Sequence, residues 1–309
     1  MTEAVARWIE HHAHRLSTSD PAAPLADLEP LGGIVGDAEV VAVGASIRQS
    51  RELSVLSHRI VRFLVEEKGF RSLALEGDDA ARLGLDEHIR TGAGDPRAML
   101  SGARSFWQSE EILDVIGWMR SFNRRNPGDP VRFAGAPEVS LVDGLAGIER
   151  SLAEGTIRWH ERTADKIVYW GGLAHTAVGD PRTVSSSSPP ETHRNAGGYL
   201  REHFGADYVS IGLTFHHGSA PYRIPAPPAE FADAVLGATE LNAYLLDLRT
   251  DGPAPVRAWL DAPSKTRLIG PEYDADDDAA YHLSGGSLAG WFDAVVHAQE
   301  ITPVGSLRA

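Results

Sequence analysis

Three residues at the ends of apolar runs carry the groups that proton transfer requires. Arg48 follows Val40-Val41-Ala42-Val43, Glu76 closes Ser72-Leu73-Ala74-Leu75, and His175 follows Lys166-Ile167-Val168-Tyr169-Trp170. A histidine titrates near neutrality and can give or take a proton. A carboxylate beside it orients the ring or carries the proton, so Glu76 and His175 are the expected catalytic pair. Asp78 and Asp79 follow Glu76 closely, and clustered carboxylates raise one another's pKa. Arginine stays charged, so Arg48 cannot be a base; its fork suits a carboxylate, a phosphate or a developing enolate. Blander roles compete: a salt bridge from Arg48 to Glu52, helix capping by Asp78 and Asp79, and a structural hydrogen bond at His175.

The apolar runs carry these residues because unalternated runs are strands covered on both faces. Residues 3–16 have apolar positions at helical spacing and are read as an amphipathic helix. Ser50 and Ser109 are expected N-caps, and Lys68-Gly69 a helix stop. Further strands are expected at 131–135, 208–215, 243–248, 267–269 and 294–297. Strand and helix alternate, which predicts an α/β fold: one mostly parallel central sheet with helices on both faces. The expected organisation is a single domain over 1–309. Residues 1–36 form an N-terminal helix and lead-in, 140–165 a helical segment, and 180–196 a flexible loop with a serine-proline run. Asp274 to Asp278 read as a solvated acidic loop without calcium-binding spacing.

In a parallel sheet the ligand lies beyond the carboxyl ends of the strands. That rule adds Ser46, Asp78, Glu138, Thr214 and His216 as substrate-binding candidates. His193 joins them as the rim of a lid, and Trp107 as an apolar wall. His216 and His217 should point to opposite faces of their strand. Ser46 lacks a Gly-x-Ser-x-Gly elbow and is no expected nucleophile. Glu76, His175 and His216 have no metal-site spacing, so neither a metal nor another cofactor is expected.

Composition bounds the partners. The 309 residues include no cysteine, which excludes disulfides and thiolate chemistry. A net charge of -14 disfavours nucleic acid and anionic membranes and leaves a small molecule as the expected partner. The N-terminus lacks a basic stretch before an apolar run, and no segment approaches the roughly 18 apolar residues of a membrane span. The expected location is the cytoplasm. Oligomeric state has no signal in the sequence.

A set of ordered segments resembles the erythromycin esterase family. They include Val41-Ala42-Val43-Gly44, Arg62-Phe63-Leu64-Val65-Glu66-Glu67-Lys68-Gly69-Phe70, Phe106-Trp107-Gln108-Ser109-Glu110-Glu111, Val131-Arg132-Phe133-Ala134-Gly135, Ala174-His175-Thr176-Ala177 and Asp207-Tyr208-Val209-Ser210-Ile211-Gly212-Leu213-Thr214-Phe215. The resemblance implies an α/β fold and the opening of macrolide lactones by water, without a firmly required metal. The family pattern Gly-Glu-x-x-His-Gly falls on Gly44, Ala45, Ser46, Ile47, Arg48 and Gln49, so its glutamate and histidine are replaced. A family arginine falls at about Ser57, and the aspartate of Gly-x-Asp falls on Pro137. The pattern His-Asn-x-His reads Gly172, Leu173, Ala174, His175, which keeps its second histidine. The helical segment at 140–165 is also shorter than in typical members.

These departures shape the functional expectation. The family's water-activating base is missing, while a possible acid/base pair survives. The expectation is a small-molecule enzyme, in polyketide-type secondary metabolism, that runs cyclisation, elimination or isomerisation. Carboxylic-ester or lactone hydrolysis with His175 as base is the alternative. A non-catalytic small-molecule binder is the third reading.

Overall fold

The computed structural model describes residues 2–135, 144–179, 182–185, 189–270 and 272–307. In chain order its strands are β1 (His14–Arg15), β2 (Val40–Ala45), β3 (Ser72–Leu75), β4 (Arg132–Phe133), β5 (Ile167–Gly172), β6 (Arg182–Val184) and β7 (Glu191–His193). They continue with β8 (Tyr208–Ser219), β9 (Arg223–Ile224), β10 (Ala243–Asp247), β11 (Ser264–Arg267), β12 (His282–Gly286) and β13 (Ala294–Ile301). The main sheet runs β1-β10-β13-β8-β2-β5-β3-β4, with β9 paired to β8. Strands β13, β8, β2, β5, β3 and β4 are mutually parallel, whereas β10 and β1 form an antiparallel edge.

Helices cover both faces, as the unalternated strands require. Val41 and Val43 of β2 join one core, which also holds Leu56, Ile60 and Leu64 of the helix Arg51–Lys68. Val40 and Ala42 join a second core with Leu152 and Leu200, from the helices Gly144–Thr163 and Ala196–Phe204. The helix Arg51–Lys68 begins where the Ser50 hydroxyl accepts the Leu53 N–H at 3.2 Å and ends at left-handed Gly69. Ser109 caps the helix Glu110–Arg125 in the same way.

Four expectations are corrected. The first helix stops at His12, and His14–Arg15 add an edge strand beside β10. Of the strand expected at 267–269, Arg267 alone is strand, at the end of β11 in a second, antiparallel sheet ordered β11-β12-β6-β7. That sheet also takes the described part of 180–196, through β6 and β7, so this stretch is not a structureless loop. β6 and β7 pair with each other, but β6 joins the sheet through β12, distant in sequence, which a local reading cannot see. The acidic run at 274–278 is solvated only in part: Asp278 is buried against Arg267 at 2.5 Å. Among the described residues no helix is long and apolar enough to cross a membrane.

Candidate active site

The register of the parallel sheet brings the reactive side chains together. Ala45 lies opposite Gly172 across β2 and β5. Arg48 and His175 each stand three residues beyond that pair, on adjacent turns. Leu75 of β3 lies opposite Trp170, which sets Glu76 beside Gly171. β2 sits between β5 and β8, at the centre of the sheet, where the chain turns outward to both sides.

The turn carrying His175 is held rigidly. It is the short helix Leu173–Thr176. The Thr176 carbonyl accepts the Tyr208 hydroxyl at 2.7 Å and the Ser210 hydroxyl at 2.8 Å. Gly44 lets this turn approach β2: a Cβ there would lie 1.9 Å from Thr176 Oγ1 and 3.0 Å from Leu173 Cα.

His175 stands between two carboxylates. Its Nδ1–H donates to Glu149 Oε1 at 2.6 Å, and its Nε2 lies 3.3 Å from Glu76 Oε1. Glu149 comes from the helix Gly144–Thr163 and is 1% exposed; its other oxygen accepts the Ala196 N–H at 2.8 Å. Glu76 Oε2 accepts from Arg48 Nη1 and from the Gly172 N–H, the latter at 2.8 Å. Burial opposes a charge on His175, but the Glu149 and Glu76 carboxylates outweigh it and push the imidazole up to about 10. The ring is therefore an imidazolium at neutral pH. Burial likewise opposes the Glu76 charge, yet Arg48 and His175 hold it well below the usual carboxylate range. Glu149 is lowered too, by His175 and two hydrogen bonds, against its own burial.

A cavity of about 180 Å³ opens beside this cluster. Arg48, Glu149, His175 and His193 form its polar wall, and Val184, Leu268 and Ile269 form an apolar wall drawn partly from the second sheet. Arg48 also borders a smaller recess, where its guanidinium carbon lies 3.6 Å from the Phe106 ring centroid.

The sequence profile of the erythromycin esterase family matches residues 65–145 and 145–301. The chain belongs to the erythromycin esterase family. Erythromycin esterase type II of Escherichia coli is 27% identical over 117 residues, which are 38% of this chain and 28% of that protein. YbfO of Bacillus subtilis is 26% identical over 133 residues, 41% of this chain and 28% of that protein. The chain thus aligns with under a third of each relative's length. Among solved structures, a Bacillus cereus protein superposes with a TM-score of 0.84 at 22% identity, over all of both chains. A succinoglycan biosynthesis protein gives 0.84 at 21%, covering 100% of this chain and 99% of that one. A histidine-to-asparagine variant of the erythromycin esterase EreC, in its open conformation, gives 0.71 at 13%, covering 96% and 99%. At these identities the likeness is one of fold.

Among members of the erythromycin esterase family, this chain is thus one with Ala45 and Arg48 on the first turn. Arg48 does not pair with Glu52, which instead accepts the Thr302 N–H and hydroxyl. Glu149 was not among the expected site residues. Its one signal in sequence is a carboxylate within the apolar face Leu145, Ile148 and Leu152. His193 lines the cavity, with Nε2 3.7 Å from Glu149 Oε1.

The remaining candidates lie elsewhere. Asp78 pairs with Arg104 at 2.9 Å, and Asp79 with Arg104 and Arg82, so they do not raise Glu76 as the clustering predicted. Trp107 is buried and donates its indole N–H to the Glu76 carbonyl at 3.3 Å; its neighbour Phe106 faces the recess instead. Ser46 is buried, and its carbonyl accepts the Ile269 N–H at 2.8 Å. His216 and His217 meet through their Nδ1 atoms at 3.0 Å, so the strand's alternation does not separate these rings. Neither lines the cavity. Glu138 and Pro137 lie outside the described residues. Among the described residues no group of three or more histidine, aspartate or glutamate side chains is arranged to hold a metal ion.

Thr214 faces away from the cavity. Its hydroxyl bonds to His297 Nδ1 at 2.9 Å, deep in the sheet. Burial holds His297 neutral, down at about 3 against an ordinary 6.5. The unfolded chain therefore binds the proton first. The stability from this residue is complete above pH 6.5 and is lost as the pH falls towards 3. His297→Gln is expected to flatten the acid limb of stability by up to about 1.4 kcal/mol per pH unit, the slope for one proton. Urea unfolding at pH 4, 5 and 7 checks this, and an unchanged slope would refute it.

Proposed function

We propose that the chain is a small-molecule enzyme that runs acid/base chemistry: cyclisation, elimination or isomerisation of a polyketide-type secondary metabolite. One observation carries the reading. His175 is held as an imidazolium between Glu149 and Glu76, and the neighbouring turn presents Arg48, which is no base. The cluster is built to donate a proton before it accepts one. His175 Nε2–H would protonate a carbonyl or leaving-group oxygen of a substrate in the cavity. Arg48 would hold a carbonyl or anionic group, and Glu76 would shuttle protons with His175. General acid catalysis of this kind contributes about 10²–10⁴-fold.

A second reading, hydrolysis of a carboxylic ester or lactone, is favoured by family membership. It needs a deprotonated His175 to activate water. The two readings predict opposite pH trends. With His175 as acid, turnover holds at moderate pH and falls as the pH rises through about 10; with His175 as base, turnover rises towards 10. Product analysis in oxygen-18 water makes the same separation. Label entering a product carboxyl at every turnover would sink the proton-transfer reading and leave hydrolysis in its place.

A further inference from the structure

We propose that Glu76 is an internal stand-in for a substrate carboxylate: an anion binding at Arg48 competes with it, and Glu76 takes up a proton in exchange. This deepens the acid/base reading above and names its substrate class, a carboxylate on an apolar body.

The Glu76 carboxylate occupies a ready-made anion seat. Its Oε2 accepts from the Arg48 guanidinium and the Gly172 N–H, and its Oε1 faces the His175 imidazolium. Arg48 is only partly committed. Among the described residues, the hydrogen bond from Nη1 to Glu76 is the one its guanidinium makes, and its side chain remains 19% exposed. The group stacks on Phe106 and borders both the cavity and the smaller recess. Among the described residues its Nε and Nη2 donors make no hydrogen bond, and they suit a second carboxylate in the fork geometry that arginine favours. The apolar wall of Val184, Leu268 and Ile269 suits the body of such a ligand.

Charge balance supplies the coupling. Arg48 and His175 are positive and Glu76 and Glu149 negative, so the cluster sums to zero. A bound carboxylate would leave one uncompensated negative charge in a largely buried site, which is costly. One proton from solvent restores neutrality. His175 already holds its proton, and Glu149 is tied to His175 Nδ1 and the Ala196 N–H. Among the described residues, no other charged or titratable side chain facing this cluster bonds to the Glu76 carboxylate. Arg104 reaches the Glu76 carbonyl at 3.5 Å but pairs with Asp78 and Asp79, and His193 lies against Glu149. The Tyr169 hydroxyl, pushed up by burial and the two carboxylates, is already protonated. The proton therefore goes to Glu76, which then enters the reaction as a neutral acid.

Calorimetric titration with sodium benzoate, in two buffers of different ionisation heat at pH 6 to 8, tests this. Benzamide is the uncharged control. The native protein should bind benzoate in preference to benzamide, take up a fraction of a proton per benzoate, and bind more weakly as the pH rises. Glu76→Gln should bind benzoate at least about tenfold tighter, with no proton uptake, because its Arg48 charge is uncompensated. Arg48→Met should lose the preference for benzoate over benzamide. Equal or weaker benzoate binding by Glu76→Gln overturns the proposal. So does benzoate binding by the native protein without proton uptake, a measurement that needs no variant to fold. Loss of the coupling with unlabelled turnover sinks this proposal alone; intact coupling with oxygen-18 label at every turnover sinks only the acid/base reading.

Discussion

Glu149→Gln is expected to cut turnover at pH 9 by about 10–100-fold while leaving turnover at pH 6 nearly unchanged. Glutamine has the shape of glutamate and keeps one carbonyl, oriented to accept the His175 Nδ1–H. It removes the charge and the acceptor of the Ala196 N–H. Burial already drives His175 towards its neutral form, and Glu149 heads the two carboxylates that oppose it. With Glu149 neutral, Glu76 opposes burial alone and the imidazolium gives up its proton at lower pH. The alkaline limb of the pH–rate profile should move down accordingly. NMR titration of the His175 ring nitrogens reports the same shift without a substrate. An unmoved alkaline limb, with the ring titration moved, would show that His175 is not the acid.

The second large effect is on stability. Asp278→Ala should destabilise the protein by about 3–5 kcal/mol, the usual result of stripping a buried charge of its partner. Arg267 is 0% exposed and bonds to Asp278 at 2.5 Å, the His216 carbonyl at 2.9 Å and the Pro225 carbonyl at 3.1 Å. The carbonyls remain in the variant, but the counter-charge does not. Tyr273 loses its partner too, since its hydroxyl donates to Asp278 at 2.6 Å. The double variant Arg267→Met, Asp278→Ala should regain most of the loss, because an apolar pair of similar volume avoids the desolvation penalty. Denaturant unfolding of the native protein and the two variants decides it. A loss under about 1 kcal/mol in Asp278→Ala would mean that water reaches the guanidinium.

This ion pair marks where sequence reasoning stops. Five acidic or small residues in a row, Asp274 to Asp278, look alike from the chain, and only packing distinguishes Asp278 from its neighbours. The parallel sheet was legible because β2 and β5 are continuous runs of apolar or aromatic residues and glycine, a pattern that burial on both faces imposes. The second sheet was not: β6 and β7 are three residues each, and the serine-proline run between them reads as linker. The same contrast holds at the site. Arg48, Glu76 and His175 could be named from their places after strands, since parallel register alone gathers strand ends. Glu149 could not, because the docking of its helix over the sheet is tertiary. Charge states were least legible of all. Glu76 follows the expectation of its neighbours only if Asp78 and Asp79 face it, and both turn instead to Arg104.

The contact between Gly44 and Thr176 has an implication for how such a site can change. It packs the Gly44 backbone against the Thr176 side chain, and neither residue lines the cavity. The two turns stay docked whatever side chains positions 45 and 48 present, so mount and payload are separate parts. Positions 45 and 48 lie on the payload side, where this chain presents a methyl group and a guanidinium to the cavity. A fold arranged in this way can be re-equipped for a new reaction one side chain at a time, with its frame left standing throughout.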